Sequence, residues 1–159
     1  MRLSYIIGPL VVLFLALALS AYFFQMLPPE LATHFEIDGT PDAWLSREMT
    51  MVWTLLPQLV FVLVAWGVVW GVTRLSHRFG QVKNAGLRTD GVILFMGNII
   101  ALPQLLLCFA MADIFSYNLY QRHIMPIWIF PLVALGLVTI AVGVFLFYIF
   151  SKVRGGQRG

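Results

Sequence analysis

Long apolar stretches alternate with short polar ones along the whole chain. The apolar runs cover about 5–26, 49–72, 91–112 and 124–150. The first is interrupted only by Gly8, Pro9, Ser20 and Gln25. At about 1.5 Å per residue, a run of roughly 20 residues crosses the ~30 Å hydrocarbon core of a bilayer as a helix. Helices are the expected form, because lipid offers no partner to an unpaired backbone group. Membrane strands would read as alternating segments of about ten residues, and none is seen. The pattern predicts an all-α fold: one integral membrane domain over 1–159, a four-helix bundle with a short ordered extracytoplasmic loop.

Composition agrees. Of 159 residues, 60% are apolar and only 11% are charged, against about 25% charged in a soluble domain. Mean hydropathy is +0.89. A disordered chain, a soluble enzyme and a disulfide scaffold all fit poorly. Cys108 is the sole cysteine, so no intramolecular disulfide can form, and it reads as a small buried apolar residue.

Charge then orients the spans. Eight of the ten basic residues are Arg2, Arg74, Arg78, Lys83, Arg88, Lys152, Arg154 and Arg158. They fall at the N-terminus, in the loop 73–90 and in the tail 151–159, which four spans place on one side. The positive-inside rule makes that side cytoplasmic, termini included. With Asp90 it carries a net +7. The first outer loop, 27–48, carries Glu30, Glu36, Asp38, Asp42 and Glu48 against Arg47, a net −4. Asp113 and Arg122 cancel in the second outer loop. The overall +3 is therefore a signal of topology and of anionic lipids on the cytoplasmic side, not of nucleic-acid binding. The expected location is the bacterial cytoplasmic (inner) membrane. Ala18, Ser20 and Ala21 resemble a signal-peptide end, but the apolar run exceeds a 7–15-residue signal core and bulky aromatics follow it. A retained first helix is expected; cleavage would leave three spans.

The loop 27–48 is rich in turn chemistry. Pro28 and Pro29 stop the first helix. Gly39-Thr40-Pro41-Asp42 reads as a turn, with Gly39 free to take a positive φ. Ser46 is placed to cap the second helix, with Glu48 at its positive end, and Trp44 to anchor at the interface. His34, Glu36, Asp38 and Asp42 could be read as a metal cluster, with His123 joining from the other outer loop. Their spacing matches no closed zinc motif. The favoured reading is that His34 and Asp42 hydrogen-bond within the loop and fix its shape.

Inside the membrane, Leu56-Pro57-Gln58-Leu59 recurs as Leu102-Pro103-Gln104-Leu105. Spans two and three run in opposite directions, so both Pro-Gln pairs lie at similar depth in the outer half. Each proline frees a carbonyl four residues earlier, at Trp53 and Ile99. Gln58, Gln104 and Asn98 are costly against lipid and should turn toward neighbouring helices. This reads either as helix-to-helix glue or as a polar vestibule beneath the acidic loop. No span holds a charged residue or histidine well inside it, which argues against ion-coupled transport. HExxH, GxSxG, P-loop and dinucleotide patterns are absent. No enzyme activity and no cofactor are expected.

Leu27-Pro28-Pro29, Thr33-His34-Phe35, Gly39-Thr40-Pro41-Asp42, Trp44, Ser46-Arg47 and Pro57 together resemble the signature of the bacterial family called domain of unknown function 1648. The resemblance covers about 21–57. Ser76-His77-Arg78-Phe79 is similar to a short segment of some members, with Gly80 where they carry Asn. Members include the SdpI-type immunity proteins, which resist a secreted peptide toxin. The resemblance marks His34, Gly39, Pro41 and Asp42 as motif positions and supplies no reaction for them. The acidic loop and the Pro-Gln pairs below it motivate the main expectation: a non-enzymatic protein that senses or resists an extracytoplasmic factor, with ligand or partner contacts at His34, Asp38, Gly39, Pro41, Asp42, Gln58 and Gln104. The expected partners are the bilayer and a peptide or membrane protein. Two alternatives are a small accessory or assembly subunit of a larger membrane complex, and a metal-dependent membrane enzyme using His34, Asp42 and His123.

Overall fold

Apolar runs become helices here, but the polar segment after the first run does not stay irregular. The computed structural model describes residues 3–79 and 89–126, and the helical positions 129, 132, 133, 135–140, 142 and 143. A 3-10 turn over Leu3–Ile6 leads into α1, Ile7–Phe23. Strands β1, Glu30–Phe35, and β2, Pro41–Ser46, pair antiparallel as a hairpin. Then come α2, Arg47–Phe79, α3, Thr89–Asn98, and α4, Ala101–Tyr120.

Among the described residues, three segments are long and apolar enough to cross a membrane: Leu3–Phe23, Arg47–Arg74 and Gly91–Tyr120. The fourth expected span, 124–150, the loop 80–88 and the tail 151–159 lie largely or wholly outside the described residues. So do Lys83 and Arg88.

Four expectations are corrected. The fold is mostly helical but not all-α, because the segment 27–48 holds a two-stranded sheet. The second helix starts at Arg47, where a Ser46 cap puts it, but continues to Phe79, beyond the apolar run, since charged residues can extend a helix past the hydrocarbon. The third span is two helices, α3 and α4, with a break at Ile99–Ile100. Pro103 explains the break. It has no N–H for the Ile99 carbonyl, which instead accepts from Leu102 at 3.0 Å. Pro103 thereby sits in the first turn of α4, where a missing N–H is harmless. Pro57, by contrast, lies within an unbroken α2. Finally, α4 continues eight residues past the expected end at position 112 and carries Asp113 with it. Asp113 is buried inside a helix and does not belong to a solvated loop.

The helices are tied by polar groups at their ends. The first backbone N–H groups of α1 lack a cap from their own chain neighbours. Asn98 supplies one from α3: its Oδ1 accepts from Gly8 N–H at 2.7 Å, and its Nδ2 donates to the Ser4 and Tyr5 carbonyls, both at 3.1 Å. Asn98 thus turns to a neighbouring helix as expected. Gly97 permits that approach, since a Cβ there would lie 2.0 Å from the Tyr5 carbonyl oxygen. At the other end of α1, the Arg47 guanidinium donates to the carbonyls of Phe24 (3.2 Å) and Leu27 (3.3 Å) and lies over the Phe24 ring. A cation at a helix C-terminus offsets the negative end of the dipole.

The larger core cluster joins α1, α2, α4 and the hairpin root. Val12, Ala16, Leu31, Met51, Met111 and Phe115 are all buried in it. On α4 the buried positions Ala101, Gln104, Cys108, Met111 and Phe115 follow spacings of three and four, the one-face pattern of a helix. Cys108 is buried there as expected.

Candidate functional site

The hairpin forms because its turn chemistry closes it. Glu36 N–H donates to the Thr40 carbonyl at 2.8 Å, and Gly39 N–H to the Glu36 carbonyl at 2.9 Å. That leaves Ile37-Asp38-Gly39 as a three-residue loop, with Gly39 at φ +89°. A glycine in that region is the ordinary end of such a loop. The Asp38 carboxylate accepts from the Thr40 backbone N–H (2.9 Å) and hydroxyl (2.7 Å). These two bonds, the backbone one first, hold the Asp38 carboxyl below its usual value.

His34 and Asp42 meet across the strands. His34 Nδ1 lies 2.5 Å from Asp42 Oδ1, so the within-loop hydrogen bond expected from the sequence is present. The strand pairing is irregular on both sides of His34, which is what a β-bulge does to aim a side chain. Pro41 opens β2 opposite Phe35. The second helix is capped as expected, with Met49 N–H donating to Ser46 Oγ at 3.4 Å. Glu30, Glu36, Asp38, Asp42 and Glu48 are all exposed, and the hairpin therefore presents an acidic surface. Trp44 is exposed beside it.

The hairpin is seated on the end of α4 by groups that are far away in sequence. Arg47 N–H donates to the Pro29 carbonyl, which makes Leu31↔Leu45 an inward-bonded pair and turns the Ala32 backbone groups outward. Asn118 captures both. Its Oδ1 accepts from Ala32 N–H at 2.8 Å, and its Nδ2 donates to the Ala32 carbonyl at 2.9 Å. The carboxamide stands in for a third strand on that edge.

Beside it, His123 stacks on Tyr117 and meets Phe35 edge-on, with centroid distances of 4.7 and 4.8 Å. His123 Nδ1 lies 2.8 Å from Asp113 Oδ2, and Nε2 lies 3.3 Å from the Gly39 carbonyl. Asp113 Oδ1 also accepts from Ile124 N–H at 2.6 Å. Gln121, at φ +54°, ends α4 in the left-handed conformation, and its N–H donates to the Tyr117 carbonyl. That turn brings 122–124 back against Asp113.

The expected site residues therefore separate. His34 and Asp42 are together, and Asp38, Gly39 and Pro41 shape the turn beside them. His123 does not join His34; it pairs with Asp113. Among the described residues, no group of three or more His, Cys, Asp or Glu side chains is placed to hold a metal ion. Gln58 and Gln104 are together but in the helix interior. Gln58 Nε2 donates to the Gln104 carbonyl (3.2 Å), and Gln104 Nε2 to the carbonyls of Gln58 and Pro9 (both 3.1 Å). Both turn inward, as the cost of facing lipid required.

Sequence reasoning missed Tyr117 and Asn118 as partners of the hairpin, and Asp113 as the partner of His123. One signal was available. The buried stripe on α4, read on by three from Phe115, arrives at Asn118. The hairpin itself had one as well, because Asp38-Gly39 between two short segments is a hairpin dipeptide.

Residues 11–57 match the family described as Domain of unknown function (DUF1648). No curated protein and no solved structure matches. The matched segment contains most of α1, the whole hairpin and the first turns of α2. It contains none of Asp113, Tyr117, Asn118 and His123, the residues on which the hairpin rests.

Proposed function

We propose that this chain is a non-enzymatic, multi-pass protein of the bacterial cytoplasmic membrane, with both termini cytoplasmic. Its hairpin detects, or helps the cell withstand, an extracytoplasmic factor such as a peptide, in the manner of the SdpI-type proteins. Three membrane-length apolar helices support the multi-pass part. The asymmetry of basic residues supports the orientation, and it favours anionic lipids as cytoplasmic-side partners.

One observation carries the sensing part. The acidic, exposed hairpin is coupled to α4 through Asn118 and His123. A partner that shifts the hairpin must also shift the end of a membrane helix. The His34–Asp42 pair shapes the exposed face without supporting the core.

The test is a His34→Ala/Asp42→Ala variant. It is expected to insert and accumulate normally while cells lose protection or response under envelope stress or peptide challenge. Normal accumulation with an unchanged phenotype overturns the reading. A second reading, an accessory or assembly subunit, draws on Trp53, Trp66 and Trp70, each about half exposed on α2. Recovery of a stoichiometric membrane partner after gentle detergent purification would favour it.

A further inference from the structure

Three helices deliver polar groups to one buried point. Gln58 on α2 and Gln104 on α4 are both fully buried, and each gives its amide to the other's backbone carbonyl. The Pro9 carbonyl of α1 takes a further bond from Gln104. The donors are thus placed, but the acceptors are not. The Oε1 atoms of Gln58 and Gln104 accept no hydrogen bond from any described group.

Turning either carboxamide over does not help. It would set an oxygen against the carbonyl oxygens now 3.1–3.2 Å from the nitrogen, which fixes the assignment of both amides. The hydroxyl one turn before Gln58, that of Thr54, bonds to carbonyls of its own helix. Pro57 and Pro103, which directly precede the two glutamines, have no N–H to offer.

We propose that the Gln58–Gln104 node is a binding site for buried water, which donates to the two carboxamide oxygens. A buried acceptor in an apolar interior is strongly disfavoured without a donor, and an internal water typically makes about three hydrogen bonds to such groups. The second Nε2 hydrogen of Gln58, which these bonds leave over, gives that water a donor to accept from. The polar repeat read in the sequence is then a hydrated node where three proline-bearing segments meet, as well as helix-to-helix glue.

The chain itself makes the test selective. Gln58 and Gln104 are the only glutamines preceded by proline. Carbonyl-labelled proline combined with labelled glutamine therefore selects these two in the full, unmutated protein. In water-edited solid-state NMR of the protein in bilayers, their side-chain signals are expected to build up several-fold faster than those of Ala16 and Val69, equally buried and read from a second, uniformly labelled sample. Build-up at the rate of those two apolar residues overturns the proposal. So does a transfer that persists unchanged when the bulk water is replaced by D2O.

Discussion

Among the described residues, two His–Asp pairs share a similar geometry in opposite settings. His34 and Asp42 meet on the hairpin, with side chains 72% and 40% exposed. His123 and Asp113 meet where the hairpin rests on α4, with side chains 17% and 5% exposed. Water competes for the first pair at every moment, and such pairs contribute about 0–1 kcal/mol. The second pair is largely shielded from water, so losing one partner leaves the other poorly satisfied. The first pair therefore suits a face that must be free to meet a partner. The second suits a joint that must hold.

The comparison breaks most visibly at Asp113. An Asp113→Ala variant removes the acceptor of His123 Nδ1 and of the Ile124 N–H together, and is expected to lose about 2–3 kcal/mol. Thermal unfolding in detergent reads this. A loss below that of the His34→Ala/Asp42→Ala variant, expected within about 1 kcal/mol of the parent, would reverse the ranking of the two pairs.

Next comes Asn118→Ala, which uncaps both backbone groups of Ala32 at a cost of about 1–3 kcal/mol. Its distinguishing readout is local. Amide exchange should rise at Ala32 and along β1 while α1 and α3 stay protected. Uniform loss of protection would mean that the hairpin does not dock as a separate unit.

The smallest effect is at the hairpin tip. The Asp38 carboxyl is held below its usual value by Thr40, so its bonds favour the folded turn above the ordinary aspartate range. That contribution fades as pH falls through the lowered folded value. The Gly39 amide shift should stay constant down to about pH 4 and move only below it. The movement should vanish in Asp38→Ala.

Much of this was legible in one dimension, for reasons tied to particular residues. Ser46, Gly39 and the Pro28-Pro29 stop act on their immediate neighbours, and local signals survive in any fold. The inward turn of Gln58, Gln104 and Asn98 was legible because lipid offers a polar side chain no alternative. Asp113 was misplaced for the converse reason. Hydropathy measures the average solvent preference of a window, and one carboxylate after an apolar run looks like the start of a loop. Its partners, His123 and the Ile124 N–H, become visible only once the chain turns back at Gln121.

By itself, then, the sequence determined that three of the described segments are long and apolar enough to cross a membrane, which loop carries the acid and which side chains must find partners. The tertiary structure alone decided who those partners are. It put Asn118 on the open edge of β1, Asn98 and Arg47 at the two ends of α1, and Gly97 against the Tyr5 carbonyl. The reason is physical. Burial preference belongs to a residue, whereas a hydrogen bond across the bundle belongs to a pair, and the pairs here lie about 20 to 95 positions apart.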